Sequence, residues 1–198
     1  MADLTIKTTD WKMREVIDMR GHSLPIRIIH WLTAVIFIAM ISAGIIMVDA
    51  GWGDNFPPFR GQLYDFHRGM GFVLLILVLI RIVLKLTTPA ASPLPASIPP
   101  MQQKIAKLTH VLLYAALIVH PLLGWYATNM WGVANIPVFG LFNLPMLVEK
   151  NREMGEFLLE IHGWVGLAIG VLVVLHILAA LHHLLIKKDG VFQRMTRT

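Results

Sequence analysis

The 198-residue sequence contains no cysteine. This absence excludes disulfide bonds, thiolate zinc sites and iron–sulfur clusters, as well as covalently attached haem, which requires a C-x-x-C-H motif. Charged residues are also scarce, at 15% of the chain, against about 25% in a typical soluble protein. Hydrophobic residues make up 56% of the sequence. So few charges cannot cover a water-exposed surface, and the composition is typical of an integral membrane protein.

Four long apolar segments predict transmembrane helices, because a helix needs about 20 apolar residues to cross the hydrocarbon core of a bilayer. The predicted helices span about residues 24–48, 64–88, 104–130 and 155–187. Pro121 lies inside the third segment and predicts a kink there. The predicted fold class is an all-α integral membrane protein with a four-helix transmembrane bundle.

The four helices divide the chain into a bundle of residues 23–190 and two tails, residues 1–22 and 191–198. The first apolar segment follows a polar stretch with four acidic residues and is longer than the apolar part of a signal peptide. We therefore expect it to remain in the protein as a helix. The pattern also predicts a short amphipathic helix around Trp11 to Met19.

The distribution of Lys and Arg predicts the orientation, since cytoplasmic connections carry an excess of basic residues. Most of the 17 basic residues lie in the two tails, near the adjoining helix ends, or between the second and third helices. The exceptions are Arg60, Arg68, Lys150 and Arg152. Both termini are therefore predicted to be cytoplasmic. The proline-rich residues 89–100 would be an extended cytoplasmic linker, and residues 131–160 the longest outer loop.

Nine histidines are present, and most of them lie in or beside the apolar segments. His162 and His176 are fourteen residues apart on the fourth helix, which places them on one face about 21 Å apart. The helix directions put His67 at the depth of His162, near the outer surface, and His30 at the depth of His176, near the inner one. Two histidine pairs in a four-helix bundle suit two non-covalent b haems, each with two axial imidazoles. Hydrogen bonds between helices are the alternative role, but four costly ionisable groups at matched depths fit that role less well.

Arg81 lies fourteen residues after His67, on the same helix face. It is predicted to bind a propionate of the inner haem, or alternatively to extend towards lipid phosphate. Six glycines near the histidines would leave room for a porphyrin: Gly44, Gly69, Gly71, Gly163, Gly166 and Gly170. Gly166 and Gly170, four residues apart, would alternatively permit a close helix contact.

The other helix histidines have less specific predicted roles. His110 is predicted to be a polar group near the inner haem or a quinone pocket, and His120 to be structural. His182 and His183 lie at the predicted cytoplasmic end of the fourth helix, next to two lysines, as in an ordinary basic membrane interface. His183, seven residues after His176, is alternatively a residue close to the inner haem.

Several motifs resemble the bacterial cytochrome b561 family of four-helix, di-haem membrane cytochromes. They are R-I-I-H-W-L (27–32), F-H-R-G-M-G (66–71), L-I-R-I-V-L-K (79–85), L-T-H-V-L-L-Y (108–114), I-H-G-W-V-G-L (161–167), V-L-H-I-L-A-A-L-H-H (174–183) and K-D-G-V-F-Q-R-M (188–195). The resemblance implies that His30 with His176 and His67 with His162 are the ligands of two b haems. It also implies that His183 takes part in quinone chemistry, and that the protein lies in the bacterial inner membrane.

The branch of the family that the chain resembles most oxidises superoxide and reduces ubiquinone. The resemblance therefore implies transmembrane electron transfer from a periplasmic one-electron donor, with superoxide as the expected donor, to ubiquinone, and His183 as a catalytic residue. The four outer basic residues would steer a small anion electrostatically. No nucleic-acid partner is expected.

The same sequence features are compatible with two other functions. The chain is alternatively a cytochrome b anchor subunit that passes electrons between a partner dehydrogenase or hydrogenase and the quinone pool, with the apolar residues 131–148 as its docking surface. A histidine-lined metal transporter without haem is the third function. The acidic residues of the predicted helices lie near their ends, and the membrane interior lacks the Asp and Glu residues that ion pathways generally need, which argues against the transporter.

Overall fold

The computed structural model describes residues 20–49 and 59–197, and the amphipathic helix predicted around residues 11–19 lies outside these ranges. Four long helices dominate the fold, and each is long and apolar enough to span a membrane. They are α1 (Leu24–Asp49), α2 (Arg60–Thr87), α3 (Pro100–Trp131) and α4 (Arg152–His182). The predicted four-helix membrane fold is confirmed.

Three of the helices begin earlier than the apolar segments predict. The first turn of α3 starts at Pro100. Proline is favoured at the start of a helix because an N–H at that position has no acceptor within the helix, so its absence in proline costs nothing. In α4 the Asn151 side chain caps the helix and accepts a hydrogen bond from the Met154 N–H at 3.2 Å. These first turns are polar or irregular in composition, so hydropathy alone does not detect them.

The helices run alternately up and down, which gives the bundle two different ends. We call the end with residues 20–23, 88–99 and 183–197 the terminal end, and the end with residues 131–151 the loop end. The side chains between the ends are largely exposed apolar residues, such as Val35 at 64% and Leu86 at 80%. A bilayer would cover these side chains, as the sequence predicts.

A small β-hairpin forms at the loop end, within the stretch that the sequence identifies only as a loop. Strands β1 (Ile136–Val138) and β2 (Phe142–Leu144) are antiparallel, and their inner side chains pack against Phe72 and Trp125. Asn129, at the end of α3, is fully buried beside the hairpin. Its amide donates a hydrogen bond to the Val133 carbonyl, and its carbonyl accepts one from the Leu147 N–H. These hydrogen bonds hold the hairpin in place over the loop end.

Three separate chain segments are tied together at the terminal end. The Arg20 N–H donates a hydrogen bond to Ser92 Oγ, and the Ser92 N–H donates to the Arg20 carbonyl. The Arg194 guanidinium donates to the Ser92 carbonyl, and the His22 N–H donates to the Arg194 carbonyl at 2.9 Å. The proline-rich linker has no helix or strand, as predicted, and it serves here as the bridge between the two tails.

Candidate functional site

Six helix histidines form two groups, one towards each end of the bundle. The loop-end group consists of His67 on α2, His120 on α3 and His162 on α4. The terminal-end group consists of His30 on α1, His110 on α3 and His176 on α4. The structure therefore brings together the same pairs, His67 with His162 and His30 with His176, that the depth argument predicts.

In the loop-end group, two rings face each other and a third stacks behind one of them. The ring centres of His67 and His162 are 6.2 Å apart, with their planes at 78°. His120 lies parallel to the His162 ring, with 3.8 Å between the centres. The Nδ1 atoms of all three rings are buried without a hydrogen-bond partner among the described residues. Unpartnered buried polar atoms are rare in folded proteins and are typical of a binding site.

The terminal-end group also contains two rings that face each other, but its third ring is placed differently. The ring centres of His30 and His176 are 6.4 Å apart, with their planes at 82°. His110 meets His176 edge to face at 5.3 Å, and its Nδ1 donates a hydrogen bond to the Ala106 carbonyl at 2.6 Å. His110 thus lies beside this pair, as the sequence predicts.

The spacing of both pairs fits a single iron between two imidazoles. Two metal–nitrogen bonds of about 2.0–2.1 Å, with about 1 Å from each nitrogen to its ring centre, separate two opposed rings by about 6 Å. Among the described residues, no group of three or more His, Cys, Asp and Glu side chains could hold a bare metal ion. Two opposed imidazoles are sufficient, however, for an iron whose other four ligands belong to a porphyrin. The residues present fit b-type haem.

Helix α3 contributes no facing ring at the loop end, but it holds the His162 ring between two of its residues. His120 stacks on this ring, and Gly124 lies one turn further along the helix. A Cβ on Gly124 would lie 2.7 Å from His162 Cε1 and 3.1 Å from its Nδ1. The sequence pattern predicts a structural role for His120 and no role for Gly124. Their spacing of four residues, which puts both on one face of α3, is the signal that could have identified them.

The glycines predicted near the histidines divide into two types. A Cβ on Gly44 would lie 3.6 Å from His67 Cε1, so this glycine does adjoin the loop-end group. Gly166 also adjoins this group, because a Cβ there would lie 3.3 Å from His120 Nε2. Gly170 instead approaches Ile41 of α1 and permits a contact between helices, which was its alternative role.

The terminal end carries a strong positive field around its histidines. The Arg81 Nε atom is buried without a hydrogen-bond partner among the described residues, and the guanidinium lies 5.4 Å from the centre of the Tyr114 ring. Burial lowers the pKa of His22, just before α1, to about 4, and the positive charges of Arg194, Arg81 and Lys85 also contribute. An anionic group such as a haem propionate would be stabilised in this field.

His183 lies at the terminal end, where α4 continues into a π-helical turn of residues His183–Lys187. Its Nδ1 is 2.6 Å from the Asp189 carboxylate, and both side chains are nearly buried, at 12% and 13% exposure. Its Nε2 lies 3.3 Å from the side-chain amide nitrogen of Gln102, at the start of α3. His183 is therefore held in place by two partners, unlike a residue of an ordinary basic interface.

The basic residues of the loop end are less available than the sequence implies. Arg68 pairs with Asp65 at 3.9 Å, and Arg152 with Glu156 at 3.0 Å. Further carboxylates on the same end are those of Glu149, Glu153 and Glu160. The charge of this end therefore gives little support to electrostatic steering of an anion.

Comparison with known proteins agrees with this geometry. Residues 21–198 match the family model described as prokaryotic cytochrome b561. The chain belongs to the prokaryotic cytochrome b561 family. It is thus a redox protein for transmembrane electron transfer, and its family implies b-type haem.

Curated relatives match at modest identity over most of their length. "Cytochrome b561 homolog 2" of Escherichia coli (strain K12) is 31% identical over 166 residues, which cover 84% of this chain and 86% of the relative. "Cytochrome b561 homolog 1" of the same organism is 28% identical over 174 residues, with 84% and 92% covered. "Probable superoxide oxidase CybB" of Yersinia pestis is 28% identical over 169 residues, with 84% and 90% covered.

The contact between Gly124 and His162 leads to a testable prediction. Gly124→Ala should displace the His162 ring, because the new methyl group would overlap it. We expect bound haem to fall to about half of the wild-type amount, or the electron paramagnetic resonance signal of one low-spin haem to shift.

Gly163→Ala is the matched control for this variant. Gly163 is next to His162 in the sequence, and a Cβ there would have no atom within 4 Å. Haem content and spectrum should stay unchanged in Gly163→Ala. Identical behaviour of the two variants would contradict the role of α3 in holding the His162 ring.

Proposed function

We propose that this protein carries electrons across the bacterial inner membrane, from a one-electron donor at the periplasmic side to ubiquinone, by means of two b haems. The observation that supports the proposal is the pair of facing imidazoles towards each end of the bundle, with ring centres 6.2 and 6.4 Å apart. In this proposal the terminal end faces the cytoplasm, in agreement with the excess of Lys and Arg there.

The chain provides the ligands and their environment. His67 and His162 would hold one haem, and His30 and His176 the other. Bound haem iron supplies reversible one-electron transfer. Because His162 and His176 are fourteen residues apart on one helix, the two sites are about 21 Å apart along its axis. A continuous helix fixes this separation and keeps both sites inside the apolar bundle.

Arg81 would neutralise a propionate of the haem at the terminal end. Its guanidinium is held near the Tyr114 ring, and its buried Nε has no hydrogen-bond partner among the described residues. A buried cation without a counter-charge is costly, and a carboxylate would offset that cost. Lys85 lies over the same ring at 5.2 Å and adds to the positive field.

His183 would supply a proton to ubiquinone at the terminal end. Reduction of a quinone to a quinol takes up two electrons and two protons, so a proton donor must lie at the acceptor site. An imidazole can both release and take up a proton and suits this role. The Asp189 carboxylate accepts a hydrogen bond from Nδ1 and orients the ring, so the proton for the quinone would leave from Nε2 of the doubly protonated imidazolium. The Nε2 atom, now near the Gln102 amide, is the one that would meet the quinone oxygen.

Superoxide is the donor that we propose, in line with the relative named "Probable superoxide oxidase CybB". A one-electron oxidation requires access and a suitable potential but no nucleophile or acid–base pair. The alternative, an anchor subunit that receives electrons from a partner protein, is favoured by the exposed apolar tip of the hairpin. This tip includes Phe139 at 49% and Leu141 at 81% exposure.

The purified, haem-loaded chain alone distinguishes the two functions. Steady consumption of superoxide with a soluble ubiquinone analogue as acceptor would support the oxidase. A protein that contains haem but leaves superoxide untouched would support the anchor subunit.

The assignment of ligands to two separate haems is tested by single substitutions. His67→Ala and His162→Ala should lose mainly one haem, and His30→Ala and His176→Ala mainly the other, because each haem needs both of its axial ligands. A redox titration of each variant should therefore keep one of two midpoints. Within a pair, the double variant should lose no more haem than either single variant. Loss of the same midpoint in His67→Ala and His30→Ala would contradict the assignment.

The role of His183 is tested by the reoxidation of reduced protein. In His183→Ala we expect both haems and normal spectra, but reoxidation by added ubiquinone analogue should slow at least tenfold. Stopped-flow mixing of dithionite-reduced protein with the quinone measures this rate. The neighbouring His182→Ala is the control and should behave as wild type. An unchanged rate in His183→Ala would place the quinone site elsewhere.

A further inference from the structure

A groove at the terminal end is not used by the proposed electron transfer. It has a volume of about 450 Å³ and lies between the start of α1 and the C-terminal segment. Its lining residues are Leu24, Arg27, Ile28, Trp31, Met195 and Thr196. The Trp31 indole donates a hydrogen bond to the Met195 carbonyl at 3.0 Å and so fixes the two walls to each other. The groove is thus a defined feature of the fold.

Arg27 is the charged residue of this groove, and no described residue neutralises its charge. The residue is only 8% exposed, and its Nε is buried without a hydrogen-bond partner in the described part of the chain. No described residue forms an ion pair with the guanidinium. The Ser23 hydroxyl, one turn earlier, is also buried without a partner among the described residues. An unpaired buried cation is costly, so these groups favour a bound anion.

The position of Arg27 at the start of a helix strengthens this preference. The first N–H groups of α1 have no partners within the helix, and the positive end of the helix dipole lies there. Asp189 is the one carboxylate at the terminal end among the described residues, and it is already paired with His183. Neither the helix nor the neighbouring described side chains supply the missing negative charge.

The other wall residues show what kind of molecule carries the anion. Leu24 and Ile28 are each 56% exposed and Trp31 is 43% exposed, on the outer surface of a helix that is long enough to span the membrane. Tryptophan is enriched where hydrocarbon meets the polar head groups. The groove therefore opens to the lipid at head-group depth and combines an apolar surface with a buried cation. A neutral quinone head group would leave that cation uncompensated.

We propose that this groove binds an anionic phospholipid, with its phosphate at Arg27 and an acyl chain along Ile28 and Trp31, towards the middle of the membrane. The lipid would join the start of α1 to the C-terminal segment, next to the helix turn that carries His30. This proposal does not depend on the identity of the electron donor or acceptor.

Lipid binding by the delipidated, haem-loaded protein tests the proposal. Native mass spectrometry would measure the binding of phosphatidylglycerol and phosphatidylcholine in the same detergent. We expect the wild-type chain to bind one phosphatidylglycerol at least tenfold more tightly than phosphatidylcholine, and Arg27→Gln to lose this preference. Arg27→Lys should keep most of it, because the charge remains.

Arg20→Gln is the matched control. Arg20 precedes α1 in the same segment, but it is exposed, so its variant should keep the preference for phosphatidylglycerol. Equal binding of the two lipids by the wild-type chain, or an unchanged preference in Arg27→Gln, would overturn the proposal.

Two further results would identify a different anion at Arg27. If inorganic phosphate displaced phosphatidylglycerol at equal concentration, the site would be one for free phosphate and the lipid assignment would be wrong. If Arg27→Gln shifted the potential of one haem while lipid binding stayed the same, Arg27 would pair with a haem carboxylate. The haem spectrum, recorded on each sample, separates these outcomes from a failure of the proposed electron transfer.

Discussion

The structure depends on the placement of imidazole rings inside an apolar bundle. Polar groups within a membrane are costly unless they have a hydrogen-bond partner or a ligand. This chain nevertheless brings six histidines together in two groups. Each group contains a facing pair with a ring separation that suits one iron. The lengths of the helices, their order and the glycines between them all serve to keep these rings opposed. In a cytochrome b561, the cofactor would supply the missing partners.

Helix α3 shows how a helix without a facing ring still shapes both sites. His120 stacks on His162 at the loop end, and His110 meets His176 at the terminal end. Gly124 lets the backbone of α3 approach the His162 ring so closely that no side chain fits between them. The third helix thus restricts the rotation of both α4 histidines. This restriction matters for a haem protein, because ring orientation influences the electronic properties of the iron.

The two ends of the bundle differ in chemistry. The terminal end concentrates positive charge at Arg27, Arg81 and Arg194. Burial, together with the charges of Arg194 and Arg81, lowers the pKa of His22 there. It also holds the closely paired His183 and Asp189. The loop end instead carries ion pairs and a hairpin with an exposed apolar tip. In the proposed function, the proton exchange at His183 therefore belongs to the terminal end and the electron donor to the loop end.

The sequence by itself determined the four helices and the depth of each histidine. Both follow from local quantities, the length of an apolar segment and the rise per residue, which do not depend on the rest of the fold. The sequence predicts later starts for α2 and α4 than Arg60 and Arg152, because a polar first turn leaves no hydropathy signal. Only the tertiary structure decided the hairpin, the place of Gly124 against His162, the pairing of His183 with Asp189 and Gln102, and the isolation of Arg27. Each of these depends on the distance between atoms whose positions are set by side-chain packing and by turns of the backbone, and neither leaves a periodic pattern in the sequence.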